Sequence, residues 1–201
     1  MLNCSQTKYE RRFFARHNEP ATPTKNPRDL VSTQQIADLM QVCSLKEKVW
    51  LSILILSGRR QGDIAKITQS CVTHKENTTF VLLPKDKAHQ NSLVSFEFDW
   101  TWRLEESVDK YREAFFELLR QEKFPFKSVN VQAVRRKINF KLHALRNYKA
   151  ICLAIDGFSK ENIMSKIGWA SEQSLLRYVR VPLAVLYKFE NYDDAFAFLT
   201  T

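Results

Sequence analysis

Apolar and polar positions follow two different periods along this chain, and the switches between them outline the fold. Ordered pattern begins at Val31, where Ser32 and Gln35 have the spacing of a capping box. Ile36, Leu39 and Met40 then make one apolar face of a helix. The stretch from about Leu45 to Leu56 is apolar almost all round, which predicts a second helix at the centre of the core. Two β-rich runs follow, Thr79–Leu83 and Leu93–Phe98, separated by a polar segment, so a hairpin with a long loop is expected. Leu104, Val108, Tyr111, Phe115, Leu118 and Leu119 return to helical spacing and predict a long amphipathic helix. From Val129 onward the pattern is mostly helical, ending in an apolar helix over 183–199. Residues 1–29 carry Arg11, Arg12, Arg16, Lys25 and Arg28 around the turn-rich stretch 18–24. They read as a basic arm or linker, or as a loose terminus without a role. The expectation is a mainly α fold with a small antiparallel β-hairpin sheet (α+β), one domain over residues 30–201.

Composition narrows the class. With 201 residues, 44% hydrophobic and 12% aromatic, the chain has ample core material, which excludes global disorder. Four Gly and six Pro exclude collagen-like and low-complexity chains. The longest apolar run, Val49–Leu56, falls far short of the roughly 20 residues a bilayer requires. The first residues turn basic without a signal-peptide core, so no membrane partner is expected. Cys4, Cys43, Cys71 and Cys152 are scattered, with no CxxC, which points to reduced thiols in an intracellular compartment rather than to zinc or disulfides. No acidic metal cluster is legible, and neither a metal nor a cofactor is expected. The net charge of +9 suits a polyanion such as nucleic acid, or is the ordinary basicity of a protein.

The charge has a location. Residues 127–149 hold Lys127, Arg135, Arg136, Lys137, Lys141, Arg146 and Lys149 with no acidic residue. A solvated face usually alternates signs, so this run is better explained by a phosphate backbone. Inside it, His143 and Arg146 stand three apart at a helix start, able to donate to one phosphate. Upstream, the apolar second helix ends in Ser57-Gly58-Arg59-Arg60-Gln61-Gly62-Asp63. Downstream come Gly157, then Ile167-Gly168-Trp169, and nine residues later Tyr178.

In this order the segments resemble the catalytic domain of the tyrosine recombinases, or phage-type integrases, from Val31 to Tyr178. That family carries T-G-x-R-x-x-E at a helix end, a Lys in a β-hairpin, an H-x-L-R box, a G-H or G-W pair and a nucleophilic Tyr nine residues on. Asp63 stands for the usual Glu and would support the neighbouring Arg; Trp169 stands for the commoner His. Counting from Gly58 assigns the first catalytic arginine to Arg60, with Arg59 the alternative. The hairpin lysine is Lys85 counted from the first strand and Lys87 counted back from Val94, with Lys85 preferred.

The resemblance implies chemistry on double-stranded DNA without metal, cofactor or ATP. Arg60 and Arg146 would clamp the non-bridging oxygens of a phosphodiester, and His143 and the Trp169 indole would add donors. Tyr178 would attack phosphorus, with His143 taking its proton and Lys85 protonating the leaving 5′ oxygen. Arg59, Lys87, Arg135, Arg136, Lys137 and Lys141 would contact the DNA. The C-terminal helix would either link protomers of a tetramer on two DNA sites or pack in cis. Only about 29 residues precede the domain, too few for the family's N-terminal clamp, so the chain would be part of a larger enzyme or a minimal form. Two other readings stay open: a type IB topoisomerase-like enzyme, and a domesticated DNA-binding protein without catalysis.

Overall fold

The computed structural model describes residues 30–76, 78–83, 92–97, 108–169, 171–173, 175 and 181–200. The basic arm expected over 1–29 lies outside them. Helix α1 (Thr33–Val42) opens with the capping box its sequence announces: Ser32 Oγ accepts the Gln35 N–H at 3.1 Å and Gln35 Oε1 accepts the Ser32 N–H at 2.9 Å. Helix α2 (Leu45–Ser57) repeats the device with Ser44 and Glu47, the Ser44 N–H donating to Glu47 Oε2 at 2.8 Å. Val49, Trp50, Leu51, Ile53, Leu54 and Ile55 are all buried, so beyond its first turn α2 has no wet face and runs through the core as its pattern predicts. Each such side chain, fully buried, contributes about 1.5–3 kcal/mol. The helix stops at Gly58, whose φ of 61° ends it in the left-handed cap suited to glycine, and the short α3 (Gln61–Ile64) follows.

The sheet contains the expected hairpin, as β2–β3, and adds a third strand to it. Three antiparallel strands, β1 (Val72–Lys75), β2 (Thr78–Leu83) and β3 (Ser92–Glu97), lie in the order β1-β2-β3, with Val81 opposite both Val72 and Val94. Strand β2 shows the period of two, burying Thr79, Val81 and Leu83 and exposing Leu82. Strand β1 was illegible because three of its four residues are exposed, so no alternation marks it.

Helix α4 (Val108–Gln121) buries Tyr111, Phe115 and Leu119 and packs on α2, with the Phe115 ring stacked on Phe126 at 6.0 Å. The chain then turns through α5 (Val131–Arg136), α6 (Ala144–Ile155) and α7 (Lys160–Ile167). Helix α6 packs against both α2 and α7, which brings the ends of three helices together. Among the described residues no helix is long and apolar enough to cross a membrane.

The tail differs from its expectation. Instead of one helix over 183–199 there are two, α8 (Leu183–Leu186) and α9 (Tyr192–Thr200). The break follows from Asn191, whose Oδ1 accepts the Asp194 N–H at 3.0 Å and starts a new helix with acidic residues in its first turn. Helix α9 packs in cis on α6. Tyr192 lies 4.1 Å from the Tyr148 ring, centroid to centroid, and its hydroxyl donates to the Val31 carbonyl at 2.7 Å. Tyr192→Phe is expected to cost about 1–3 kcal/mol, because the buried Val31 carbonyl loses its partner. An unchanged urea unfolding midpoint would show that this docking contributes nothing.

Candidate active site

The site forms where α2 and α7 end and α6 begins. Gly58 brings these ends into contact: a Cβ there would meet Ile167 Cδ1 at 2.5 Å and the Lys149 side chain at 3.2 Å. Over this junction opens a pocket of about 580 Å³. Arg59, Arg60, Arg135, Lys141, His143 and Arg146 line it, with Leu54, Phe140 and Leu142 as apolar wall and Gln61 beside them. No carboxylate lines it among the described residues, so the pocket gathers positive charge that no acid within its wall offsets.

Arg146 sits on the first turn of α6 and is 3% exposed. Its Nη2 donates to the carbonyls of Ile167 at 3.1 Å and Gly168 at 3.3 Å, the last turn of α7 and the residue after it. Helix ends leave such carbonyls without intrahelical donors, and a guanidinium both bonds them and matches the negative end of the helix dipole. The guanidinium carbon also lies 5.4 Å from the Trp169 ring centroid, a cation–π contact. Trp169 is itself buried and held by its backbone N–H on the Met164 carbonyl at 2.9 Å. His143, at the N-cap of α6, is exposed at the pocket wall. The H-x-x-R spacing thus puts one side chain at the mouth and the other at the floor.

The two adjacent arginines diverge. Arg60 is exposed at the mouth, with its backbone N–H on Asp63 Oδ2 at 3.3 Å, so Asp63 supports it through the main chain. Arg59 is only 5% exposed, and its Nη2 donates to the Ser165 carbonyl at 3.3 Å. Its guanidinium is thus engaged by the end of α7 while it reaches the pocket wall.

The acid-free run also divides. On the short α5, Arg135 faces the pocket whereas Arg136 and Lys137 line a second groove of about 410 Å³ beside α1. There Lys137 donates to Glu47 Oε2 at 2.9 Å and to the Val42 carbonyl at 3.2 Å. Burial pushes the Glu47 carboxyl up, but the Ser44 N–H and Lys137 outweigh it and hold the group below the usual carboxylate range. Lys137 therefore has a counter-charge from α2 that linear sequence could not reveal.

Lys85 and Lys87 fall between β2 and β3, and Tyr178 follows α7; all three lie outside the described residues. Two other tyrosines near the C-terminus are used elsewhere. The Tyr187 hydroxyl donates to the Phe158 carbonyl at 3.3 Å. Desolvation holds the Tyr192 phenol well above its ordinary value, which disfavours the phenolate a nucleophile requires. Sequence reading missed the apolar wall of Leu54, Phe140 and Leu142 and the carbonyls of Ser165 and Ile167, for which no residue type is diagnostic.

By sequence, no family model matches the chain, nor does any curated protein. Solved structures do match in fold. XerA recombinase superposes with a TM-score of 0.58 at 16% identity, over 79% of this chain and 62% of that one. Lambda integrase, in a dimer bound to a core site, gives 0.54 at 15% identity over 77% and 60%. XerH site-specific recombinase, in a post-cleavage complex on a palindromic substrate, gives 0.54 at 13% identity over 76% and 50%. The chain spans less than two thirds of the length of each. With its helices converging beneath the H-x-x-R box and the sheet beside α2, this chain has the catalytic-domain fold of the tyrosine recombinases and integrases.

Proposed function

We propose that the chain is a DNA-cleaving and rejoining enzyme, a site-specific recombinase or integrase that works through a covalent 3′-phosphotyrosine. The observation that carries this reading is the pocket whose polar lining is mostly cationic and holds no carboxylate among the described residues, built around a buried Arg146 and an exposed Arg60. A phosphodiester is an anion that gains charge on its non-bridging oxygens during in-line attack. Fixed guanidiniums aimed at that position favour the transition state over the ground state. Structures of XerH and lambda integrase on their DNA sites support DNA as the partner.

In this mechanism Tyr178 Oη attacks phosphorus and the P–O5′ bond breaks. His143 takes the phenol proton, and Lys85 gives a proton to the departing 5′ oxygen. Trp169 packs against Arg146 and steadies its guanidinium. The phosphotyrosine keeps the energy of the broken bond, so a 5′-hydroxyl of another strand reverses the step without ATP. Arg135, Lys141 and Arg59's neighbour Arg60 hold the backbone at the pocket mouth. Joining two duplexes calls for a homo-oligomer, a tetramer in which α9 leaves its seat on α6 for that of a neighbour.

A nicked suicide DNA substrate tests the chemistry. Wild-type protein is expected to form a covalent adduct and Tyr178→Phe none; adduct with Tyr178→Phe would show that another residue is the nucleophile. Salt-sensitive binding with no wild-type adduct would favour a domesticated DNA-binding protein, and relaxation of supercoils by a monomer would favour the topoisomerase reading. Of Lys85→Ala and Lys87→Ala, the one that removes the general acid is expected to slow cleavage and to be rescued by a 5′-thiol leaving group. Rescue of Lys87→Ala alone would move the role to Lys87. Arg135→Ala and Lys141→Ala are each expected to reduce the salt slope of DNA binding by about one. Lys137→Ala, paired to Glu47, is expected to leave the slope unchanged; an equal drop would place Lys137 at the DNA.

A further inference from the structure

Arg59 occupies the variable position of its motif, between the cap glycine and the arginine assigned to phosphate, and nothing in the mechanism above gives it work. Its surroundings do. The guanidinium is buried, bonds the Ser165 carbonyl through Nη2, and packs so closely on Gly168 that a Cβ there would collide with it. Gly168 has a φ of 77°, the left-handed end of α7, so both its backbone conformation and its missing side chain are required at this spot.

Arg146 holds the same turn from α6, through the Ile167 and Gly168 carbonyls. Two guanidiniums thus grip carbonyls of one helix terminus, Arg59 that of Ser165 and Arg146 those of Ile167 and Gly168, where the dipole favours cations. Trp169 follows directly, and its ring is the face on which the Arg146 guanidinium rests. An apolar side chain at 59 would fill similar volume but could not bond Ser165, and the turn would lose one of its two clamps. A lysine would keep the charge yet lose the planar fork.

We infer that Arg59 is a positioning residue: by clamping the last turn of α7 it fixes Gly168 and Trp169, and through them the direction in which Arg146 faces the pocket. The structural half stands on the contacts alone; the catalytic half rests on the recombinase reading.

The protein labelled with 5-fluorotryptophan offers a readout independent of activity. Its four tryptophans give four fluorine resonances, and the one lost in Trp169→Phe is assigned to Trp169. Arg59→Leu is expected to shift that resonance and leave the other three in place. Should Arg59→Leu fail to fold, Arg59→Lys is expected to shift the same resonance by less. Gly168→Ala, which presses on the clamp from the other side, is expected to move it too. A Trp169 resonance unmoved in the folded Arg59 variant overturns the inference. In the suicide-substrate reaction at saturating DNA, Arg59→Leu is expected to slow adduct formation by roughly 100-fold, the loss typical of a group misplaced by an ångström. The half-saturating DNA concentration is expected to stay unchanged. An unchanged rate, or a loss confined to half-saturation, overturns the catalytic half. A wild-type protein that forms no adduct while the Trp169 resonance still responds to Arg59 sinks the recombinase reading and upholds the clamp.

Discussion

Two buried guanidiniums on the C-terminal turn of one helix are the interaction on which the rest of this molecule depends. Arg59 and Arg146 are 5% and 3% exposed, and removing a cation from water is costly unless polar groups replace its hydration. The Ser165, Ile167 and Gly168 carbonyls and the face of Trp169 are such replacements. They are available only if the end of α2, the start of α6 and the end of α7 meet at one point. The central α2 secures this, because α4 and α6 both pack on it and the cap at Gly58 lets the Ile167 side chain approach. Core and site are therefore one construction.

From this floor the charge rises to an open mouth. Arg60, Arg135, Lys141 and His143 are exposed there, where salt screens them from one another and where a polyanion would release counterions. The gradient from buried, oriented guanidiniums to exposed side chains suits a ligand that must be both captured and held in one geometry. The fold spends other cations on itself. Lys137 joins α5 to α2 through Glu47, and Lys46 bonds Glu122 at 2.5 Å and Ser128 at 2.8 Å, tying α2 to the end of α4.

The tail shows the same economy with tyrosines. Tyr148 and Tyr192 face each other between α6 and α9, and burial raises both phenols above their ordinary range. A phenol in that setting stays protonated and packs. The same desolvation that makes these rings good core excludes them from nucleophilic work.

What the sequence determined by itself was everything that rests on local pattern. The Ser32 capping box, the central helix and the β2–β3 hairpin are written in residues close together in the chain, where spacing and hydrogen bonding suffice. The tertiary structure decided the rest. Strand β1 has no alternating face, and the tail break hangs on one Asn–Asp cap within an otherwise apolar stretch. Arg59 and Arg60 are adjacent in sequence with the same charge, and only the approach of Gly168 from more than a hundred residues away buries one and leaves the other at the mouth. Arg135 and Lys137 belong to one acid-free run, yet Glu47 claims the second because α2 passes beside it. Charge is a property of composition, but which charge is compensated depends on long-range neighbours, and those exist only once the chain has folded.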